Sequence, residues 1–279
     1  MTSVQTVDIL RVGKDSNEST PDLIVTEEPL EIRIGYGPET DRQQMNLAVT
    51  MRTPGNDEEL CLGFLFNEGI IQCIEDVLSV KYCDEMGTVE NHENIMRAEL
   101  SQDVTFDPSD HQRNFYTTSS CGVCGKAAVE AIHVACNPLE SDKIFIEENV
   151  FFELPNKLRA AQEVFKHTGG LHASAIFDLS GNLLAHREDV GRHNALDKII
   201  GYYLNKDIHA LKNSILLLSG RISFELVQKA IRAGIPVIAA VGAPSSLAVS
   251  LAEDFGVTLI GFLGEKKFNI YTADRRVRT

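Results

Sequence analysis

The stretch LHASAIFDLSGNLLAHRE, residues 171–188, decides how the second half of this chain folds. Its two arms alternate apolar and polar residues, the period of a strand, and they meet at Ser-Gly-Asn, where glycine supplies the positive φ that a tight hairpin needs. The period then changes. HNALDKIIGYYL (193–204), SFELVQKAIRAG (223–234) and SSLAVSLAEDFG (245–256) carry helical spacing, while SILLLS (214–219), PVIAAVG (236–242) and VTLIGF (257–262) are short, nearly continuous apolar runs. Runs of that kind suit strands covered on both faces. A hairpin followed by alternating helices and strands, with a last arm FNIYT (268–272), gives a mixed sheet with helices on both sides. The fold class is therefore expected to be α/β.

Working backward from the hairpin, FELPNKLRAAQEVFKHTGG (152–170) reads as one helix closed by glycines, and GKAAVEAIHVAC (125–136) as another. Nearer the start, DLIVTEEPLEIRIG (22–35), MNLAVTMRT (45–53), DVLSVKYCD (76–84) and NIMRAEL (94–100) read as strands. Between them, TPGNDEELCLGFLFNEGII (53–71) is a helix with Asn56 or Asp57 as cap, acidic residues in its first turn and a stop at Gly69. The polar segment SQDVTFDPSDHQRN (101–114) is the expected connection. The division is thus a flexible terminus over 1–20, a smaller α+β lobe over 21–115, and an α/β lobe over 116–279.

Composition narrows the function. At 279 residues, 43% hydrophobic and 24% charged, the chain can bury substantial cores. A net charge of −14 argues against nucleic-acid binding, which rests on a basic face. The first twenty residues hold no apolar signal core and no run is long enough to cross a membrane, so a soluble cytoplasmic protein is expected. Six cysteines (61, 73, 83, 121, 124 and 136) then read as reduced thiols.

Cys121 and Cys124 form the CxxC of TTSSCGVCGKAAVEAI (117–132). The pair can be a metal clamp, a dithiol redox centre or a sulfur carrier. A closed zinc site needs two more ligands, usually a second close pair, and the remaining cysteines offer none. A thioredoxin-like arrangement would bring a cis-proline strand nearby, whereas GIPVIAA lies more than a hundred residues on. What remains is persulfide chemistry. Cys121 falls just before an expected helix, whose unpaired N–H groups favour a thiolate, and small neighbours leave its sulfur uncovered. Cys124 is placed to help release the sulfur by forming a disulfide. Cys61 and Cys136 fall on apolar helix faces and are expected in the core, which is also the default for Cys73 and Cys83.

Local basic spots stand out against the acidic whole. REDVGRHNALDKIIG (187–201) sets Arg192 and His193 at a strand-to-helix turn, and SGRISFE (219–225) repeats the form with Ser219 and Arg221. GAPSSLA (242–248) repeats it again, and Lys266 and Lys267 occupy the turn before the last arm. Three strand ends that deliver small residues and helix starts to one edge mark a ligand site in an open α/β sheet. His172, by contrast, reads as an edge or core histidine of a strand.

TSSCGVCGK, TGGLHASA, EDVGRHNALDK, SGRISFELVQKA, GAPSSLA and the pair GF and FNIYT, in that order, closely resemble the FdhD family of formate dehydrogenase accessory sulfurtransferases. The resemblance runs from about residue 25 to residue 272. It implies a cytidine-deaminase-like three-layer α/β/α lobe without the deaminase zinc, so no intrinsic metal, and a cytoplasmic homodimer. It also implies sulfur taken from a cysteine desulfurase and passed to the molybdenum or tungsten bis-molybdopterin guanine dinucleotide of formate dehydrogenase. Carried onto this chain, Cys121 holds the persulfide with Cys124 beside it. The cofactor-binding turn, which would meet the guanine nucleotide, falls on Phe262, Leu263, Gly264, Glu265, Lys266 and Lys267. Family members usually carry Arg-Gly where this chain has Gly264 and Glu265; the two lysines are candidates for the basic role.

Overall fold

The computed structural model describes residues 2–83, 92–108, 136, 138, 139 and 144–279. The CxxC, the helix expected over 125–136 and the boundary expected at 115/116 all lie outside the described residues, apart from Cys136.

The chain opens with β1 (Val4–Val12) and β2 (Asn17–Val25), a regular antiparallel hairpin. This corrects the expectation of a flexible terminus over residues 1–20. The hairpin has no unbroken apolar face, and its pairing through Val4↔Val25 to Val12↔Asn17 comes from backbone hydrogen bonds that composition does not reveal. Next come β3 (Glu28–Tyr36) and β4 (Gln43–Arg52), then α1 (Asp57–Asn67), β5 (Val77–Tyr82) and β6 (Ile95–Leu100). These strands make a four-stranded sheet in the order β4-β3-β6-β5, with β3 and β6 parallel.

A short strand, β7 (Ile146–Glu147), leads into α2 (Glu148–Ala161) and α3 (Glu163–Thr168). The single helix expected over 152–170 is thus two, broken at Gln162, whose φ of −77° and ψ of 80° leave the helical region. The expected hairpin follows as β8 (His172–Asp178) and β9 (Leu183–Asp189), then α4 (Arg192–Lys206), β10 (Ser214–Leu218), α5 (Phe224–Arg232), β11 (Val237–Ala240), α6 (Ser246–Asp254), β12 (Thr258–Gly261) and β13 (Asn269–Thr272). The closing strand β14 (Val277–Arg278) pairs in parallel with β7. The main sheet runs β13-β12-β11-β10-β8-β9, with β10, β11 and β12 parallel and β8 and β13 reversed. It is the mixed α/β sheet that the sequence pattern implies.

Strand residues alternate between two cores. Ile215, Leu217, Val237, Ala239 and Ile260 pack with Phe151, Leu154 and Leu158 of α2. Leu216, Leu218, Ile238, Ala240 and Leu259 pack on the other side, with Leu196, Ile199 and Ile200 of α4 and with residues of α5 and α6. That second core continues without a break into Leu30, Ile32 and Ile34 of β3 and Leu60, Leu62 and Leu65 of α1. The smaller sheet is joined to the larger through helix α1 lying on α4.

Two glycines set that crossing. A Cβ on Gly63 of α1 would collide with the Asp197 carbonyl of α4, and one on Gly201 of α4 would collide with the Glu59 carbonyl of α1. Helix backbones therefore touch, an approach that only glycine permits at both points. Asn56, foreseen as a cap, does stand at the N-cap of α1, but in the left-handed region (φ 57°) and without a side-chain cap bond. Asp57 instead turns its carboxylate to Arg52 and Tyr82.

Candidate functional site

Because β8 runs against β10 and β9 runs against β8, the end of β9, the start of β8 and the ends of β10, β11 and β12 share one edge of the sheet. That edge collects most of the candidates read from the sequence. Arg192 and His193 open α4 after β9, Ser219 and Arg221 follow β10, and residues 262–267 follow β12.

The loops are stitched to one another by backbone bonds. Gly242 N donates to Gly220 O at 3.1 Å, Phe262 N donates to Gly242 O at 3.0 Å, and Ile222 N donates to Ala243 O at 3.0 Å. Glycine is required at the middle of the row, since a Cβ on Gly242 would lie 2.7 Å from Gly220 O and 2.8 Å from Arg221 N. Ser219 holds the row to β8: its Oγ accepts from Ala173 N at 2.8 Å and its N–H donates to Ala173 O at 3.0 Å. Ser219 thus ties the loop to β8 through both its backbone and its Oγ.

His172 stands at the head of β8 against Gly220, where a Cβ would meet its Nδ1 at 3.3 Å. Partial burial lowers its pKa, and the positive charges of Arg192 and Arg221 lower it further, with Asp189 opposing. His193 is pushed down to about 4, first by burial and then by the charges of Lys229 and Arg192. Its Nε2 lies 3.4 Å from Ser223 Oγ and 3.9 Å from Glu225 Oε2. Both imidazoles are therefore neutral near pH 7, in a neighbourhood made positive by arginine. Such a neighbourhood suits an anionic group of a ligand.

EDVGRHNALDK divides by burial. Arg192 and His193 reach the edge, whereas Asp189, Asn194, Asp197 and Lys198 are buried and paired. Lys198 Nζ lies 2.7 Å from Asp189 Oδ2 and donates to Thr53 O at 2.9 Å. The other oxygen of Asp189 accepts from Gly191 N at 2.8 Å and from Asn194 Nδ2 at 3.0 Å. Asn194 Nδ2 also donates to Met51 O at 2.8 Å, and Asp189 Oδ2 accepts from Thr53 N at 3.1 Å. This network ties the end of β4 to the turn that carries Arg192. Asp197 takes Lys229 Nζ at 2.6 Å; burial raises its pKa, and the lysine opposes that shift.

Residues 262–267 make a compact turn closed by Gly264 N donating to Lys267 O at 3.1 Å. Leu263 is buried, with its N–H on Ala240 O at 2.9 Å, while Phe262 is exposed. Glu265 Oε1 accepts from Asn156 Nδ2 of α2 at 3.1 Å. Lys266 and Lys267 are exposed in the turn between the last two strands of the sheet, as the pattern foretold.

Cys61 is fully buried, and burial drives its thiol pKa up, as expected of a core cysteine. Cys73, Cys83 and Cys136 are only partly buried, so the core position expected of them is met in part. Cys121 and Cys124 lie outside the described residues. Among the described residues, no group of His, Cys, Asp and Glu is arranged to hold a metal ion, and no helix is long and apolar enough to cross a membrane. Sequence reading missed Glu225 and Lys229, which bear on His193 from α5. They lie more than thirty residues away, so no local spacing signals them.

A model of the FdhD/NarQ family matches residues 25–278. The chain is 52% identical over 258 residues to the sulfur carrier protein FdhD of Mycolicibacterium paratuberculosis, covering 91% of this chain and 92% of the relative. It is 43% identical over 275 residues to that of Sulfurisphaera tokodaii, covering 98% and 99%. A solved protein from Desulfotalea psychrophila, described as a formate dehydrogenase accessory protein, superposes with a TM-score of 0.75 at 21% identity, over 99% of this chain and 100% of that one. At that identity the likeness speaks for the fold.

Proposed function

The chain belongs to the FdhD/NarQ family, and from that premise we propose that it is a cytoplasmic sulfur carrier and sulfurtransferase that serves formate dehydrogenase. In this reading the Cys121 thiolate attacks the outer sulfur of a persulfide on a cysteine desulfurase. One S–S bond forms as another breaks, the desulfurase thiolate leaves, and Cys121 becomes Cys–S–SH without net oxidation. Cys124 then attacks the inner sulfur of that persulfide. The products are a Cys121–Cys124 disulfide and hydrosulfide for the acceptor, and a cellular thiol reductant resets the pair.

The acceptor is the molybdenum or tungsten bis-molybdopterin guanine dinucleotide, held as a substrate. The observation that carries this reading is the gathering of Arg192, Arg221, His172 and His193 with the 262–267 turn along one sheet edge. Arginines there answer the diphosphates, and the glycine row leaves backbone open to close approach. Lys266 and Lys267 add charge at the far end, in place of the arginine usual in the family. A homodimer is part of the same proposal.

Intact mass spectrometry without reductant tests it, after incubation with a cysteine desulfurase and free cysteine. Wild type should gain one sulfur atom and Cys121→Ala none. No gain in any form, with nucleotide still bound, would make the protein a cofactor-binding chaperone.

A further inference from the structure

Two imidazoles stand at the strand-end edge, and they differ in what would meet them if they gained a proton. His193 Nε2 faces Ser223 Oγ at 3.4 Å and Glu225 Oε2 at 3.9 Å, so a protonated His193 finds its counter-charge inside the chain, on α5. His172 is placed otherwise. It makes no side-chain hydrogen bond to a described residue. Asp189, opposite it on β9, is already engaged: one carboxylate oxygen accepts from Gly191 N and Asn194 Nδ2, the other from Lys198 Nζ and Thr53 N. A protonated His172 must therefore find its acceptor outside the chain.

Position puts that ring where an anion would arrive. A Cβ on Gly220 would come within 3.3 Å of Nδ1 and 3.4 Å of Cε1, so the imidazole lies against the glycine row that joins the loops after β10 and β11, and it is only partly buried. Arg192 from α4 and Arg221 from the loop after β10 act on it from two sides, and His193 lies within reach of the same field. With the edge empty, burial and the two arginines keep the ring neutral, and Asp189 opposes them. An anion bound to those arginines cancels the charge that holds the proton off and supplies the missing acceptor. Proton and anion then favour each other reciprocally.

We infer that His172 is a further ligand of the anionic group held by Arg192 and Arg221, and that its ring takes up a proton from solvent as that group binds. This role rests on the proposed function and deepens it. No covalent bond of the ligand changes; affinity for a diphosphate rises as pH falls through the neutral range, by up to about tenfold per pH unit for one proton taken up.

Proton NMR of the full chain, with and without saturating inorganic pyrophosphate, tests this. The resonance lost in His172→Gln identifies the ring, and assignment through the wild-type backbone identifies it should that variant fail to fold. Pyrophosphate should raise the pH at which His172 titrates by about one unit or more, as an opposite charge within contact distance does. Calorimetry at about pH 7.5 and about pH 6 should show wild type gaining more affinity for pyrophosphate on acidification than His172→Gln gains. The ligand's own titration is common to both forms and cancels in that comparison. A His172 titration that ignores bound pyrophosphate, or an equal gain in the two forms, overturns the inference while leaving the site reading standing. Wild type that binds no pyrophosphate at either pH overturns both.

Discussion

Lys198 and Asp189 form a 2.7 Å ion pair directly beneath the strand-end edge, with 1% and 0% of their surfaces exposed. Each is held in addition by Thr53, the residue after β4 of the smaller sheet, so one pair fixes both the turn that carries Arg192 and the seam between the two sheets.

Removing one partner strands a buried charge. Lys198→Met and Asp189→Leu should each lower stability by about 3–5 kcal/mol, and the double replacement should cost less than either alone. Urea unfolding of the four forms checks this; additive losses would show that the two groups act separately.

The glycine crossing of α1 and α4 is equally exposed to test. Gly63→Ala and Gly201→Ala each place a methyl group against helix backbone that cannot move aside as a side chain would. Each should destabilise by about 1–3 kcal/mol despite the better helix propensity of alanine. Thermal melts followed by circular dichroism give the sign.

His193 should confer a pH dependence. Its pKa in the fold, about 4, lies below the value of about 6.5 in an unfolded chain. Between those values the unfolded chain binds the extra proton, so the contribution to stability is complete above about pH 6.5 and is lost as pH falls toward 4. Below that the loss levels off. His193→Gln should flatten the stability profile between pH 6.5 and 5 relative to wild type, as measured by urea unfolding at stepped pH.

The two arginines and the two lysines should behave differently toward an anion. Arg221→Ala and Arg192→Ala should each weaken pyrophosphate about tenfold, through lost charge-assisted hydrogen bonds. Lys266→Ala and Lys267→Ala should weaken it less, and mainly at low salt, because exposed charges are screened at a Debye length of about 8 Å under physiological conditions. Calorimetry at two salt concentrations separates the pairs.

The order of strands and helices from residue 171 onward was legible because each element carries its own period, and the shared edge followed from the direction in which β10, β11 and β12 run. Glycine and serine at the strand ends marked that edge. The N-terminal hairpin was not legible, since its apolar residues do not hold one face and its order rests on backbone pairing. Nor was the break at Gln162, where helical spacing continues on both sides.

In EDVGRHNALDK, local spacing determined that a charged cluster would open a helix, but only the tertiary structure decided which charges are available. Asp189, Asn194 and Lys198 are drawn inward because partners on β4 and the residue after it, more than 130 positions earlier, satisfy them. Arg192 and His193 are left at the edge. Burial of a charge depends on what packs over it, and that is a property of distant segments meeting in space. The same holds for Phe262: its identity was plain in the sequence, but its left-handed backbone, φ 52°, and its N–H bond to Gly242 O on the neighbouring loop belong to the fold.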